Sequence, residues 1–168
     1  ALTITAVNTA PVVTNLGVTL NEGATSTFTL ANNASDQEDN AITYIVVSVP
    51  TNGSLKDPGN SDAAITAGTT IKSASVKYIH DGNENILDTF TFKVNDGSAD
   101  SNIGTVKTTI TAVNDTPVFT VFSPAVGVDQ YDEVTFNLPV TDAEGTSLTY
   151  VIATKPSKGL LEANTSGT

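Results

Sequence analysis

Acidic and amide side chains gather in the segments between strand-like stretches of this sequence. Three short pairs of such residues stand out: Asp36 and Glu38, Asp142 and Glu144, Asn114 and Asp115. Carboxylate and amide oxygens are the ligands that Ca²⁺ takes, roughly six to eight at a time. The same residue types also form turns readily, so acidic loops arise without any metal. Both interpretations, a calcium site and ordinary acidic turns, are open from the residues alone.

The residues that enzymes use for nucleophilic or zinc chemistry are scarce. The chain has one histidine, His80, and no cysteine. A single histidine without cysteines does not supply the usual zinc ligand set, and no nucleophile motif accompanies it. We therefore predict that the chain is not an enzyme and that His80 is a structural hydrogen-bonding residue.

Composition and charge restrict the kinds of partner. The 168 residues carry 18 acids against 7 lysines, with no arginine, which gives a formal net charge of −11. Phosphate backbones and anionic membrane surfaces are bound by cationic side chains, so this balance argues against nucleic acid and against such a membrane surface. No apolar run approaches the roughly 20 residues that a membrane-spanning helix needs, so no membrane insertion is expected in this segment.

An internal repeat organises the chain. Residues 5–12 read Thr-Ala-Val-Asn-Thr-Ala-Pro-Val, and residues 111–118 read Thr-Ala-Val-Asn-Asp-Thr-Pro-Val, a shift of 106 residues. The same shift carries Tyr44 onto Tyr150. A constant shift without gaps predicts tandem copies of one structural unit.

The repeat sets the expected domain boundaries. We expect the last strand of a preceding repeat plus a linker at 1–8, a complete repeat at 9–114, and the first half of the next repeat at 115–168. The half-repeat would then lack the partner strands that residues 63–114 provide to the complete one. We expect it to be covered by a neighbouring chain or by further strands of a longer polypeptide.

Within the complete repeat the local pattern is strand and turn. Phe28 and Leu30 alternate with threonines, as do Phe90 and Phe92, and residues 41–49 are apolar on both parities. Alternation predicts half-buried strands, and a continuous apolar run predicts a central one. About seven short strands per repeat, without helix caps, indicate an all-β antiparallel sandwich. The expected core residues are Phe28, Leu30, Tyr44, Val46, Phe90, Phe92 and Ile110.

Three motifs carry a resemblance to a known family. They read Val-Lys-Tyr-Ile-His-Asp-Gly at 76–82, Asp-Thr-Phe-Thr-Phe-Lys-Val-Asn-Asp-Gly at 88–97 and Val-Asn-Asp-Thr-Pro-Val at 113–118. In this order and spacing they resemble the cadherin-like repeats of large bacterial surface (adhesin) proteins, especially the chondroitin-sulfate-proteoglycan type. The resemblance implies Ig/cadherin-like β-sandwich repeats in tandem, an extracellular, cell-surface or secreted location, and calcium bound between repeats.

The resemblance also implies where calcium ligands come from: the base of one repeat, the linker, and the top of the next repeat. The residues that match those places are Glu22, Asp81, Asn114, Asp115, Asp142 and Glu144. Asn83 or Glu84, in the same loop as Asp81, could join it at the base. A second candidate cluster, at the top of the complete repeat, comprises Asp36, Glu38 and Asp96. Thr9 stands where the second linker has Asp115, which predicts a poorer site there.

Three functions compete. The first is a stalk or spacer module of a long cell-surface protein, stiffened by calcium between neighbouring repeats of the same polypeptide. The second is a segment of a self-associating surface filament, sheath or matrix protein, in which identical chains contact one another. The third is an accessory module of a secreted enzyme. We favour the first, because the resemblance is to stalk and adhesion modules.

Overall fold

The structure, a computed structural model, describes residues 7–120, 129 and 132–163. The chain forms two compact units, Ala1–Val113 and Asn114–Thr168, which are described separately below. Most of the strand predicted at 1–8 lies outside the described residues. Within the described residues the helices are two short 3-10 turns, Ala31–Asn33 and Pro58–Asn60. Neither is long and apolar enough to cross a membrane.

The first unit is a sandwich of two main sheets. The five-stranded sheet has the order β2 (Leu16–Asn21), β11 (Gly104–Thr111), β10 (Leu87–Asn95), β5 (Thr43–Ser48), β8 (Thr70–Ile71). The four-stranded sheet has the order β3 (Thr25–Thr29), β9 (Ser75–His80), β6 (Gly53–Asp57), β7 (Ala63–Ala64). A small additional sheet pairs β1 (Val12–Val13) with β4 (Ala34–Ser35). The predicted all-β sandwich is confirmed.

One strand pair departs from the expected antiparallel pattern. β2 runs parallel to β11, from Leu16 opposite Val106 to Asn21 opposite Thr111. Antiparallel neighbours are commonly joined by a tight turn, whereas parallel neighbours need a long connection. Almost the whole repeat lies between β2 and β11, so no turn dictates their relative direction.

The core lies between the sheets and is built from alternate residues of the long strands. On β10, Phe90, Phe92 and Val94 are fully buried, whereas Thr89, the residue before Phe90, is exposed. Phe92 lies opposite Gly104, where an added Cβ would approach the phenyl ring to 3.1 Å. The missing side chain at position 104 therefore leaves the space that the ring occupies.

The predicted core is largely confirmed. Leu30, Tyr44, Val46, Phe90, Phe92 and Ile110 are all buried. Phe28 is the exception, because it is only half-buried although it packs against the core. Its ring centroid lies 6.2 Å from that of Phe90. Phe28 belongs to β3, which lies at the edge of the four-stranded sheet.

A buried carboxylate that the sequence analysis did not single out ties one turn to β10. Asp88 Oδ1 accepts the backbone N–H of Thr51 at 3.0 Å and of Thr89 at 2.8 Å, and Oδ2 accepts the N–H of Asn52 at 3.0 Å and the hydroxyl of Tyr78 at 2.9 Å. Burial, with the hydrogen bond and negative charge of Asp88, raises the pKa of Tyr78. The turn before β6 is thereby held against β10.

The second unit begins as the first one does. β12 (Val118–Phe119) pairs antiparallel with β13 (Val140–Thr141), and Val118 lies opposite Thr141. In β1 and β4 the equivalent residue, Val12, lies opposite Ser35. A shift of 106 residues relates the two pairs. The backbone pairing therefore follows the repeat that is visible in the sequence.

Phe92→Ala is expected to lower the free energy of unfolding by about 3–5 kcal/mol, because it removes a fully buried ring and leaves a cavity. Thr89→Ala, on the exposed face of the same strand, is the matched control and should change it by roughly 0.5 kcal/mol or less. Urea denaturation followed by circular dichroism measures both. A loss under about 1 kcal/mol for Phe92→Ala would contradict the core assignment of this face.

Candidate functional site

Two glutamates come together where β2 and β9 end in the first unit. Glu22 directly follows β2, and its backbone N–H donates to the carbonyl of Thr111 at 2.9 Å. Its Oε2 accepts the N–H of Val113 at 3.1 Å. Glu84, in the loop after β9, has a carboxylate oxygen within 4.8 Å of one on Glu22. Two negative charges at this separation repel one another, and a cation between them would remove that cost.

The predicted ligand Asp81 lies in the same loop as Glu84, but its carboxylate is engaged within the loop. Asp81 Oδ1 accepts the N–H of Asn83 at 3.1 Å, and Oδ2 accepts the Asn83 side-chain amide at 2.8 Å. The carboxylate beside Glu22 is that of Glu84. The spacing of acids along the sequence does not distinguish these two residues, because the choice depends on how the loop folds.

In the second unit, the predicted linker residues contact the acidic loop. The backbone N–H of Asp115 donates to Oε1 of Glu144 at 2.6 Å. The amide of Asn114 donates to the carbonyl of Asp115 at 2.7 Å. Asp115 and Asp142 line the same surface depression. The four predicted residues of this unit therefore form one local group.

Asp142 is held in its charged form. Its Oδ1 accepts the backbone N–H of Thr146 at 2.9 Å and the Thr146 hydroxyl at 2.8 Å. These bonds lower the pKa of Asp142 below its ordinary value. Oε2 of the neighbouring Glu144 is shielded from solvent and has no hydrogen-bond partner within the described part of the chain. An unpaired carboxylate oxygen of this kind fits a cation ligand.

In the second candidate cluster, in the first unit, the predicted acids are joined by Asn8, Thr9 and Asn40, which were not among the predicted ligands. The amide of Asn8 donates to Oδ2 of Asp96 at 2.8 Å, and its oxygen accepts from the amide of Asn40 at 3.3 Å. Thr9 donates to Glu38 through its hydroxyl at 2.8 Å and its N–H at 3.3 Å. The internal repeat could have identified Asn8, because the shift of 106 residues carries it onto Asn114, a predicted ligand.

Asp36 completes this cluster. Its Oδ1 accepts the N–H of Glu38 at 3.1 Å and of Asn40 at 2.9 Å. Its Oδ2 is shielded from solvent and, like Glu144 Oε2, has no hydrogen-bond partner among the residues that the structure describes. All three predicted acids, Asp36, Glu38 and Asp96, therefore belong to one network with Asn8, Thr9 and Asn40.

The two acidic networks are equivalent, one repeat apart. The N–H of Thr9 donates to Glu38, as the N–H of Asp115 donates to Glu144. Asp36 accepts the N–H of Asn40, as Asp142 accepts the N–H of Thr146. Each network presents carboxylate, amide and carbonyl oxygens, which is the donor set of a hard cation such as Ca²⁺ and not of a softer transition metal.

Comparisons with known proteins give one family and one relative. The family described as cadherin-like matches residues 11–111. The human protein named extracellular matrix organizing protein FRAS1 is 35% identical over 95 residues, which cover 52% of this chain and 2% of that protein. The chain is thus similar to a small part of a much longer relative.

Asp96 is expected to titrate below its ordinary pKa of 3.8, because the Asn8 amide and the N–H groups of Ala99 and Ser98 bind the charged form. A lowered folded-state pKa contributes stability above the unfolded-state value, and that stability is lost as the pH falls through the folded pKa. Carboxyl NMR titration measures the shift.

Asn8→Ala removes the amide hydrogen bond that lowers the pKa of Asp96 most, so this pKa should rise toward 3.8. Asn32→Ala, at an exposed position outside the network, is the control and should leave it unchanged. An Asp96 pKa at or above 3.8 in the native chain would contradict the network described above.

Proposed function

Because this chain belongs to the cadherin-like family, we propose that it is a spacer repeat of a long polypeptide and that calcium between successive repeats stiffens the array. The chain is extracellular and serves as a structural or adhesion repeat. We further propose that it catalyses no reaction. A bacterial surface adhesin as the parent protein stays a prediction.

One observation carries the calcium proposal: equivalent acidic networks recur one repeat apart, each with a carboxylate oxygen that lacks a hydrogen-bond partner among the described residues. Those oxygens are Oδ2 of Asp36 and Oε2 of Glu144, which stand at different positions of the repeat. Shielding a carboxylate oxygen from water without a partner is unfavourable. A bound cation would supply the missing partner in both networks.

The proposed ligands come from both described units. They are Glu22, Asp81, Asn114, Asp115, Asp142 and Glu144, with Glu84 added because its carboxylate lies beside that of Glu22. When bound, calcium would neutralise these carboxylates and restrict the chain between the repeats. Asp36, Glu38 and Asp96 would form the corresponding upper half-site of the first unit, in which Thr9 stands at the position of Asp115 and supplies no carboxylate.

Millimolar Ca²⁺ is expected to raise the melting temperature of the 168-residue chain relative to the same chain in chelator. Extracellular modules bind calcium with dissociation constants of about 10⁻⁴–10⁻³ M, so roughly 10 mM Ca²⁺ should add about 1–3 kcal/mol to the free energy of unfolding. Differential scanning calorimetry measures the shift.

Asp115→Ala should reduce the calcium-dependent rise, whereas Glu133→Ala, which removes an exposed acid outside the networks, should leave it intact. Mg²⁺ at the same concentration controls for general charge screening. Superimposable melting curves in calcium and in chelator would leave the acids as turn residues and refute the proposed stiffening.

An apolar face on the second unit favours a second candidate function, self-association. Phe119 is 63% exposed and Ile152 is 50% exposed, whereas their equivalents in the first unit, Val13 and Val46, are 3% and 0% exposed. In the first unit, β5 carries Val46 and is flanked by β10 and β8. We propose that added strands cover the corresponding face of the second unit, either from a second copy of the chain, as in a filament or matrix, or from the same polypeptide.

Sedimentation analysis is expected to show concentration-dependent association of the chain. Ile152→Asp should weaken it by placing a charge on the apolar face. Val151→Asp, at a neighbouring position that is 84% exposed and whose equivalent, Ile45, is only half-buried, is the matched control. A chain that stays monomeric while the amides of the second unit are fully protected from hydrogen exchange would exclude this function.

A further inference from the structure

His80 links two loops that lie far apart in the sequence. It is the last residue of β9 and is 3% exposed. Its Nδ1 accepts the backbone N–H of Gly23 at 3.1 Å and the backbone N–H of Gly82 at 3.2 Å. The first of these glycines lies in the turn after β2, and the second lies in the loop after β9. One ring nitrogen therefore connects both loops.

The two donors share a local arrangement. Gly23 has φ of +64° and follows Glu22, while Gly82 has φ of +81° and follows Asp81. Positive φ favours glycine, which has no Cβ to clash with the backbone. Each loop thus contains an acid followed directly by a glycine in the left-handed conformation. The N–H groups of both glycines donate to Nδ1 of His80.

The hydrogen bonds define the tautomer of the ring. A nitrogen that accepts two N–H groups carries a lone pair, so the proton of the neutral imidazole resides on Nε2. His80 Nε2 is buried and has no hydrogen-bond partner among the described residues; it lies 3.9 Å from Oδ1 of Asp81. The ring holds the loops through an uncharged acceptor.

We infer that His80 is a positioning residue that sets the placement of the Glu22 loop relative to the Asp81–Glu84 loop. The link to calcium rests on the proposed function, since these loops carry proposed ligands. A lysine or arginine at this place would neutralise the acids itself and compete with a cation. A neutral nitrogen acceptor fixes both backbones and leaves every carboxylate charge in place.

Two substitutions of His80 distinguish the effect of its hydrogen-bond acceptor from the effect of its side-chain volume. His80→Asn keeps an acceptor oxygen near the position of Nδ1, whereas His80→Leu keeps an apolar side chain and removes the acceptor. In the calcium-free 168-residue chain, His80→Leu should speed hydrogen exchange of the Gly23 and Gly82 amides about tenfold, while the Phe92 amide is affected far less. His80→Asn should restore much of the protection at both glycines.

The native chain supplies a second, independent measurement. Imidazole ¹⁵N chemical shifts should report an unprotonated Nδ1 and a protonated Nε2. A proton on Nδ1, or equal exchange of the Gly23 and Gly82 amides in the native chain and His80→Leu, would overturn the inference. The ¹⁵N measurement decides the question even if His80→Leu does not fold.

A further variant separates this inference from the calcium proposal. Glu22→Gln should weaken calcium binding, read by calorimetric titration, and leave the exchange of the Gly23 and Gly82 amides unchanged in the calcium-free chain. If the native chain binds no calcium, the proposed function fails while the glycine amides still report the role of His80. If the amides do not depend on His80, the inference fails whether or not calcium binds.

Discussion

One face of β10 is the surface on which the rest of the first unit is built. Phe90, Phe92 and Val94 are fully buried on that face, and β10 is paired on both edges, with β5 and with β11. A strand with both edges paired and one face covered cannot shift by a single residue, because every side chain would change faces. The positions of the neighbouring strands, and of the loops that connect them, follow from this constraint.

Asp88 extends the same constraint to the loops. It stands on the buried parity of β10, two residues before Phe90, where a charge is tolerated only when it is fully hydrogen-bonded. Its bonds to the backbone of Thr51 and Asn52 hold the turn before β6, and β6 pairs with β9, which ends at His80. A continuous set of contacts thus connects the core to the loop that carries Asp81 and Glu84.

The distribution of cations explains why the acidic networks have no internal counter-charge. Lys77 on β9 pairs with Asp62, and Lys93 on β10 pairs with Asp100. Among the described residues, no lysine forms an ion pair with Asp36, Glu38, Asp142 or Glu144. The chain has few positive charges, with 7 lysines against 18 acids, and the networks hold their carboxylates with N–H, amide and hydroxyl donors.

Much of the fold could be predicted because alternation along a strand is a local property. Phe90 and Phe92 show it clearly, and Asp88 could have been found by the same parity argument. The partial exposure of Phe28 could not be predicted, since it depends on β3 lying at the edge of its sheet. Asn40 was missed because its role depends on a contact between loops that are distant in sequence, whereas Asn8 could have been found from its correspondence to Asn114.

Tyr44 and Tyr150 show that the same local sequence pattern does not always form a strand. Both stand in the same apolar pattern, yet residues 43–48 form a strand while residues 149–154 do not. β5 is flanked by β10 and β8 in the first unit. Among the described residues of the second unit, strand pairing is limited to β12 with β13. Strand formation here is a property of the pairing and not of the segment alone.

The parallel pairing of β2 with β11 has a mechanical consequence. These strands are the first and last long strands of the unit, and six residues of each are in register. A pull toward the N-terminal side of β2 and toward the C-terminal side of β11 acts in opposite directions along the strand axes. The load would then be shared by all the hydrogen bonds of the pair at once, in shear, instead of opening them one after another as in an unzipping hairpin. A module joined in series through these two strands is therefore arranged to bear tension.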